Sequence, residues 1–400
     1  MYELKKNKSN MAVVILVFIL FILSAALPLF FVHDYDMYSF SKGKETKISG
    51  VKAIKARKEK YKKIQGSLST KRLNEVLAFY KKLPDKDESD IIIDGKYPGL
   101  YQLLRVAYAP IGEEDSFQLR KIKNTNYFYK LHREKIKEQA TNSKVPIKER
   151  GALLKYVSKM KQTFKIEFVE QWPVLLKSMH FVYMIIAFLA VIISNQLFSF
   201  EKETHMDLIL NSMDKKRLML IGVKKILSMS FYLSLVFVLC TAIVSLITFS
   251  IGGISGWNSQ IQMMADFFLV PYNWNFGELY IYFIFVAWIS IMAIAFTGTL
   301  LNAMIQKTYP SLILTGVILL IPKVLCSSDY VPYVVRKIAL IQPANGISIF
   351  SYLDKLFQYQ IGSFFVLPVT AIVLSAIAYI VICAVVAPWM FQLRIQEKEN

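Results

Sequence analysis

Six long apolar runs are the feature of this 400-residue chain that most constrains its fold. Most of them reach the roughly 20 residues that an α-helix needs to cross the hydrocarbon core of a bilayer. Such a density of long runs is typical of an integral membrane protein, not of a soluble protein with buried helices. The runs are 11–32, 179–198, 226–251, 279–305, 311–325 and 364–391, of which 311–325 is the least sharply bounded because Pro322 and Lys323 lie near its end. We therefore predict an all-α polytopic membrane protein with six transmembrane helices.

The first run allows a second interpretation, a cleaved signal peptide. Lys5, Lys6 and Lys8 precede it, and "LSAALP" supplies small residues near its end. The apolar core of a signal peptide is about 7–15 residues long. The run 11–32 has 22 residues, which exceeds that length. We therefore predict that segment 1–32 is an N-terminal tail followed by a retained first transmembrane helix.

A polar block, residues 33–176, separates the first apolar run from the other five. It holds 31 Lys and Arg against 18 Asp and Glu, so it carries +13 of the chain's formal charge of +19. The rest of the chain, 177–400, contains five apolar runs with short connections, one of which is the charged loop 199–225. The sequence thus predicts a basic domain inserted between transmembrane helices 1 and 2.

The distribution of Lys and Arg over the short loops predicts the orientation. Short loops are counted because long domains cross a membrane largely regardless of their charge. With the N-terminus inside, the cytoplasmic pieces are 1–10, 199–225, 306–310 and 392–400, which hold 12 Lys and Arg against three in the short outer loops. This bias predicts cytoplasmic N- and C-termini and an extracellular block 33–176. The abundance of Lys and the absence of a disulfide framework favour a bacterial plasma membrane.

The polar block is predicted to be mostly helical. Leu73, Val76, Leu77 and Tyr80 repeat at the spacing of one helix face, after Ser69 or Thr70 as N-cap. A second stripe, running towards the second span, consists of Leu153, Val157, Met160, Phe164 and Phe168. Between the two stripes, prolines and glycines interrupt the helical pattern, and the segment 90–94, "DIIID", is predicted to be a short strand.

The segment "EKETHMDLILNSMDKKR", residues 201–217, is predicted to form one short amphipathic helix. Thr204 followed by Asp207 forms a variant capping box at its start, and His205 is a polar residue on its surface. An apolar stripe follows, and a basic cluster lies where a helix C-terminus favours cations. The stripe is Met206, Ile209, Leu210 and Met213, and the cluster is Lys215, Lys216 and Arg217. Two interpretations stay open: an interfacial helix whose stripe rests on lipid, and a helix that docks into the groove of a cytosolic partner.

The wider segment "FEKETHMDLILNSMDKKRLMLIGVKK" resembles the first cytoplasmic loop of ABC-2-type exporter permeases. In that family a Phe-Glu start leads into an acidic and then apolar helix, a turn, a basic pair and a lysine that opens the next span. The matching residues are Phe200, Glu201, Glu203, Asp207, Leu208, Leu210, Lys216 or Arg217, and Lys224 or Lys225. Thr204 and Met213 depart from the pattern, since a glycine and a proline are usual at these two positions. Six spans and a large outer domain after the first span also suit this family.

The resemblance implies the membrane-spanning permease subunit of an ATP-driven ABC exporter. Its loop would be the coupling helix, which transmits closure of an ATPase dimer to the spans. The docking residues implied are Glu201, Glu203, Met206, Asp207, Ile209, Leu210, Met213, Lys215, Lys216 and Arg217. The implied partners are cytosolic P-loop ATPase subunits, a second copy or a sister permease, and the lipid bilayer. The chain itself would bind no cofactor, because ATP acts through the partner ATPase.

Sequence motifs of an enzyme are missing from the chain. No GxxxxGK[ST] occurs, so no P-loop holds a nucleotide, and neither HExxH nor Gly-x-Ser-x-Gly is present. The three cysteines, Cys240, Cys326 and Cys383, lie in or beside separate apolar runs, a spacing that gives neither a zinc site nor a disulfide framework. We therefore predict no catalytic, cofactor-binding or metal-binding residues.

The second, third, fourth and sixth apolar runs contain no Asp, Glu, Lys or Arg. An ion-coupled carrier needs ionisable groups inside the membrane, so this composition disfavours one. It favours an apolar or amphipathic cargo such as a lipid, a peptide or a drug-like molecule. Two interpretations of the basic block stay open: a surface that binds anionic material, and a Lys-rich surface that is merely solvated. Nucleic acid is not an expected partner, since the block is predicted to lie outside and shows no aromatic-lined basic groove.

Two alternative functions remain from the sequence. A mechanotransmission permease uses ATP to move its outer domain, but known families of that kind resemble proteins with four spans, three of them after the domain. Five apolar runs follow the block here, which disfavours this alternative. The other alternative is a sensor or scaffold whose outer domain binds a ligand and whose loop docks a signalling protein. It predicts no ATPase partner.

Overall fold

Sixteen α-helices and six short strands make up the described part of the chain in a computed structural model. The structure describes residues 8–41, 44–84, 86, 88–113, 119–160, 163–204, 206–328 and 330–396. The helices are α1 Lys8–His33, α2 Gly50–Lys62, α3 Thr70–Lys82, α4 Glu88–Lys96, α5 Leu100–Tyr108, α6 Phe128–Asn142, α7 Ile147–Ser158, α8 Gln171–Ser194, α9 Ser199–Glu203, α10 Asp207–Asn211, α11 Lys215–Gly252, α12 Phe276–Ile305, α13 Thr308–Ser327, α14 Tyr333–Leu340, α15 Pro343–Gly346 and α16 Pro368–Gln396. The strands form three antiparallel pairs: β1 Asp36–Ser41 with β2 Lys44–Ser49, β3 Gly66–Leu68 with β4 Phe164–Ile166, and β5 Tyr359–Ile361 with β6 Phe364–Val366.

Six helices, α1, α8, α11, α12, α13 and α16, are long and apolar enough to cross a membrane, in agreement with the predicted helical protein with six candidate spans. Helix α13 continues through Pro322 to Ser327, so the fifth span is longer than the apolar run suggested. The sixth begins at Pro368, because Phe364 belongs to β6. Helix α12 lies centrally and packs against α8, α11, α13 and α16, whereas most of the apolar surface of α1 and α13 is exposed.

Small residues allow the membrane helices to approach one another closely. A Cβ atom on Gly298 of α12 would collide with the hydroxyl of Ser194 on α8. A Cβ atom on Gly222 of α11 would lie 3.2 Å from the Cβ atom of Pro388 on α16. These glycines are therefore contact points of the bundle, and larger side chains there would separate the helices.

Helix α11 is longer than a bilayer is thick. Its 38 residues extend over roughly 57 Å at 1.5 Å per residue, against a hydrocarbon core of about 30 Å. The charged residues Lys215, Lys216 and Arg217 form its first turn. Several turns of α11 therefore project beyond the apolar core.

The polar block folds around a hydrophobic cluster to which α2–α6 and the β3–β4 pair contribute. The first predicted helix is confirmed as α3: Leu73, Val76, Leu77 and Tyr80 are buried, and the side chain of Ser69 accepts a hydrogen bond from Arg72 N. Two predictions were wrong. The segment "DIIID" lies in α4 and not in a strand. Only Ile93 of its three isoleucines is fully buried, as expected for a short helix that packs on one side.

The second helical stripe is shorter than predicted. Helix α7 ends at Ser158, so Leu153 and Val157 lie on it while Phe164 belongs to β4. Phe164 is still buried, because β4 pairs with β3 and turns this side chain into the same core. The apolar residues of β4 follow those of α7 at a spacing that also fits a helix. The sequence pattern therefore did not show where α7 ends and β4 begins.

The polar block contacts one end of the helical bundle. Lys58 Nζ donates to Gly252 O at 2.9 Å, Lys165 N to Gln260 Oε1 at 2.9 Å, and Trp172 Nε1 to Ser255 O at 3.1 Å. The loop between α8 and α11 lies with the final turns of α16 at the other end, where Phe198 and Phe391 stack with ring centroids 4.5 Å apart. The block and this loop thus occupy opposite ends of the bundle.

Candidate functional site

The loop between α8 and α11 contains two short helices, α9 and α10, and not the single amphipathic helix that was predicted. Thr204 follows the last residue of α9, and its hydroxyl donates to Phe200 O at 2.7 Å. Thr204 therefore closes α9, and the N-cap position of α10 is taken by Met206, so the predicted capping box is not formed. His205 and the side chain of Asp207 lie outside the part of the chain that the structure describes.

The basic cluster lies at the start of a helix and not at the end of one. Helix α10 ends at Asn211, the backbone is extended at Asp214, and Lys215, Lys216 and Arg217 form the first turn of α11. A helix N-terminus is electrically unfavourable for cations. Arg217 Nε lies 3.9 Å from Asp214 Oδ2, but both side chains are largely exposed, so this pair contributes little. The cluster is therefore a solvated positive surface beside α10.

The predicted apolar stripe faces two ways. Met206 and Ile209 are exposed, with 42% and 62% of their surface accessible. Leu210 and Met213 are partly buried against a cluster that includes Leu218 of α11 and the buried Phe391 of α16. The same four residues therefore supply both the attachment of α10 to the bundle and an exposed apolar pair. We call Met206 and Ile209 the exposed pair.

Asn302 on α12 fixes the start of the loop. Its Oδ1 accepts hydrogen bonds from Phe198 N at 2.8 Å and from Ser199 N at 3.0 Å. Its Nδ2 donates to Asn195 O at 2.6 Å and to Ser311 Oγ at 3.1 Å. The residue is fully buried, so these bonds are made without competition from water. The amide of Asn302 thereby joins the end of α8, the start of α9 and α13.

A buried ion pair fixes the loop to α11. Glu201 on α9 pairs with Lys225 on α11, and their side chains are only 7% and 11% exposed. Lys225 Nζ also donates to Leu197 O at 3.1 Å, so the ammonium reaches both α9 and the segment before it. Removing one partner of a buried pair leaves the other charge without compensation, which usually costs far more than the pair contributes. The pair therefore holds α9 in one position relative to α11.

The loop is also bonded to the connection between α12 and α13. Glu203 Oε1 accepts a hydrogen bond from Thr308 Oγ1 at 2.7 Å, and Lys202 Nζ donates to Gln306 Oε1 at 3.2 Å. The hydroxyls of Ser199 and Thr308 are 2.6 Å apart. Glu201 and Glu203, both predicted to dock a partner, thus bond within the chain itself. With Phe391 against Phe198, the loop contacts α11, α12, α13 and α16.

The sequence-based reasoning missed Asn302 and Thr308. A polar amide inside an otherwise apolar run was the available signal, because an unsatisfied amide in a membrane helix is costly and needs partners. Lys225 was noted for its place in the motif, but its pairing with Glu201 was not anticipated. No spacing rule connects residues so far apart in the chain.

No group of three His, Cys, Asp or Glu side chains among the described residues is arranged to hold a metal ion. Comparisons with known proteins identify no relative: no family model, no curated protein and no solved structure matches the chain.

Proposed function

We propose that this chain is the membrane-spanning permease subunit of an ATP-driven exporter, and that residues 195–217 receive the force from a cytosolic ATPase. This range is the loop between α8 and α11 together with the first turn of α11. One observation carries the proposal: the exposed pair lies on a loop whose base contacts four membrane helices, α11, α12, α13 and α16. An exposed pair of large apolar side chains suits the groove of a partner protein. A base held by buried contacts suits the transfer of motion.

The internal bonds of the loop favour this role over that of a plain connector. If a partner presses on Met206 and Ile209, the bonds of Asn302 and the Glu201–Lys225 pair resist deformation of the base of the loop, and Leu210 and Met213 attach α10 to the bundle. Breaking buried polar contacts costs several kcal/mol. A partner that presses on the loop would therefore move α11, α12 and α13 together at a lower free-energy cost than it would deform the base of the loop.

The charge beside the exposed pair indicates the character of the partner surface. Lys215, Lys216 and Arg217 are exposed at the start of α11, next to Asp214. Acidic side chains on the partner would face this cluster and guide docking, since complementary charges mainly improve orientation and association rate. We propose an ATPase whose groove is apolar in the middle and acidic at the rim.

The orientation in the membrane is proposed from the Lys and Arg content of the short loops. Both termini and the loop 195–217 would lie in the cytoplasm of a bacterial cell, and the polar block 33–176 would lie outside. A second copy or a sister permease would complete the transport path. The cargo would be apolar or amphipathic, because five of the six apolar runs contain no Asp, Glu, Lys or Arg.

Co-purification tests the proposal. Tagged protein is isolated from its native membranes in mild detergent, beside a Met206→Asp/Ile209→Asp variant. We expect a P-loop ATPase with the unchanged protein and at least about tenfold less of it with the variant, since two charges replace the apolar contact. Leu210 stays unchanged in this design because it packs against the bundle.

The matched control is Tyr127→Asp/Ile147→Asp, which places two charges at exposed apolar positions of the polar block. This control should retain the ATPase. Equal recovery of the ATPase with all three proteins would remove the exposed pair from the docking surface. If no ATPase accompanies any of them, the exporter proposal fails and a sensor or scaffold becomes the better explanation of the loop.

A further inference from the structure

A cavity of about 420 Å³ lies between the polar block and the outer connections of the bundle. Helices α5 and α6 form one wall, and the 3₁₀ helix Ala265–Phe267 with the chain after it forms another. Pockets that hold small ligands have volumes of about 300–1,000 Å³. The lining residues are Gln102, Val106, Gln139, Ala265, Asp266, Leu269, Val270 and Asp354. The cavity is therefore large enough for a small amphipathic molecule.

The polar side chains that line this cavity are acidic or neutral. They are two carboxylates, Asp266 and Asp354, and two amides, Gln102 and Gln139, and no Lys or Arg is among its described lining residues. The surrounding block carries 31 Lys and Arg, so a wall without a cation stands out against its setting. Carboxylates only accept hydrogen bonds when ionised. The wall therefore favours a ligand group that donates hydrogen bonds and carries positive charge.

The other lining side chains are apolar. Val106, Leu269 and Val270 are buried or partly buried, whereas Gln102, Asp266 and Asp354 are exposed. The apolar side chains thus lie deeper than the carboxylates. Lys355 Nζ lies 3.2 Å from Asp354 Oδ2 and offsets part of that charge, so Asp266 is the stronger anion for a ligand.

We propose that this cavity binds a molecule in which an ammonium or guanidinium group is joined to a small apolar body. The cation lies against Asp266 and Asp354, while the apolar part contacts Leu269 and Val270. The inference goes beyond the proposed export function and does not depend on an ATPase, because binding is measured on this chain alone.

Two probes with the same apolar side chains test the contribution of the charge. Leucyl-leucine amide carries one ammonium group and two apolar side chains, and in N-acetyl-leucyl-leucine amide a neutral acetamide replaces the ammonium group. Calorimetric titration of the full chain in lipid nanodiscs at pH 6.5 keeps the α-amino group charged. We expect saturable binding of the charged probe and roughly two- to thirtyfold weaker binding of the acetylated one, as for two exposed charge contacts.

Variants assign the binding to this cavity. The Asp266→Asn/Asp354→Asn variant should bind the charged probe more weakly by the same factor. The Ala265→Phe variant, whose larger side chain fills the cavity, should also bind this probe more weakly although the charge of the protein is unchanged. Glu59→Gln/Glu75→Gln makes the same change of net charge on α2 and α3 and should bind like the unchanged protein. Equal affinity for both probes, or unchanged binding in the Asn variant while its melting temperature is normal, would overturn the proposal. Absence of saturable binding by the charged probe would overturn it as well.

Discussion

His132 is the residue whose burial has the clearest chemical consequence. It lies on α6, and its Nε2 atom is 2.6 Å from Phe268 O. A carbonyl oxygen only accepts, so Nε2 carries the hydrogen and a neutral ring satisfies this contact. Burial lowers the pKa of His132 to about 4, the bond to Phe268 opposes this shift, and the charge of Arg133 adds to it. Burial therefore favours the uncharged ring at this contact between the polar block and the loop after α11, although both forms of the ring can donate to Phe268 O.

The low pKa of His132 predicts a loss of stability in acid. An unfolded histidine has a pKa near 6.5, so between pH 6.5 and about 4 the unfolded chain binds more protons than the folded one. Stability should decrease as the pH falls through this window, by about 1.4 kcal/mol per pH unit at most and about 3 kcal/mol in total. Thermal unfolding in detergent from pH 4 to 8 measures this for the natural chain and a His132→Gln variant. Parallel pH profiles of the two proteins would contradict the prediction.

At the scale of the elements, Asn302 keeps α9 attached to α12. In an Asn302→Leu variant, Phe198 N and Ser199 N lose their acceptor. Each unsatisfied buried donor costs about 1–3 kcal/mol, so local opening becomes more frequent. Hydrogen exchange measured by mass spectrometry should be at least about tenfold faster at residues 198–203. A Thr248→Val control removes a hydroxyl that bonds to Val244 O at the far end of α11, and it should leave these amides unchanged.

The elements differ in how well the sequence predicts them. The six spans follow from hydropathy alone, because a helix that satisfies its own backbone is favoured in lipid wherever the chain is apolar for long enough. Helix α4 was misassigned because three consecutive isoleucines fit either a buried strand or one side of a short helix. The break between α9 and α10 was missed because Asn302 and Lys225, which hold α9, are distant in sequence.

The same distinction applies to the candidate site. The apolar stripe was found from its spacing, yet Leu210 and Met213 face the bundle while Met206 and Ile209 face outwards. Helical spacing shows which residues share a face, but it does not show what that face contacts. Only the packing of α16 against the loop separates the two roles.

At the scale of the whole molecule, two carboxylates fix the polar block to the bundle. Glu149 on α7 accepts from Tyr333 OH at 2.6 Å and pairs with Lys337 at 2.7 Å. Glu170, next to α8, pairs with Arg57 at 3.1 Å and accepts from Tyr61 OH at 3.0 Å. The block is thus bonded near the beginning of the second span and near the segment that precedes the sixth. It is integrated into the bundle and does not hang from a flexible linker.

The orientation of the whole molecule is predicted by the charges of its short loops. In a variant whose three native cysteines are replaced by alanine, Tyr127→Cys should react with a membrane-impermeant maleimide in intact cells. Ile209→Cys should react only after the cells are permeabilised. Both positions are well exposed, at 69% and 62%, so reactivity reports their side of the membrane. The reverse pattern would place the polar block in the cytoplasm and exclude the proposed docking of an ATPase at 195–217.

The close contact of Gly222 with Pro388 is a point about which α11 would tilt relative to α16. The contact lies seven residues from Lys215 and thirty from Gly252, or roughly 10 Å and 45 Å along the helix. For a rigid rod turning at this point, the far end moves roughly four times as far as the near end. Gly252 O accepts the hydrogen bond from Lys58 Nζ of the polar block. For such a rigid rotation, a shift of about 1 Å at Lys215 would correspond to a shift of roughly 4 Å at Gly252.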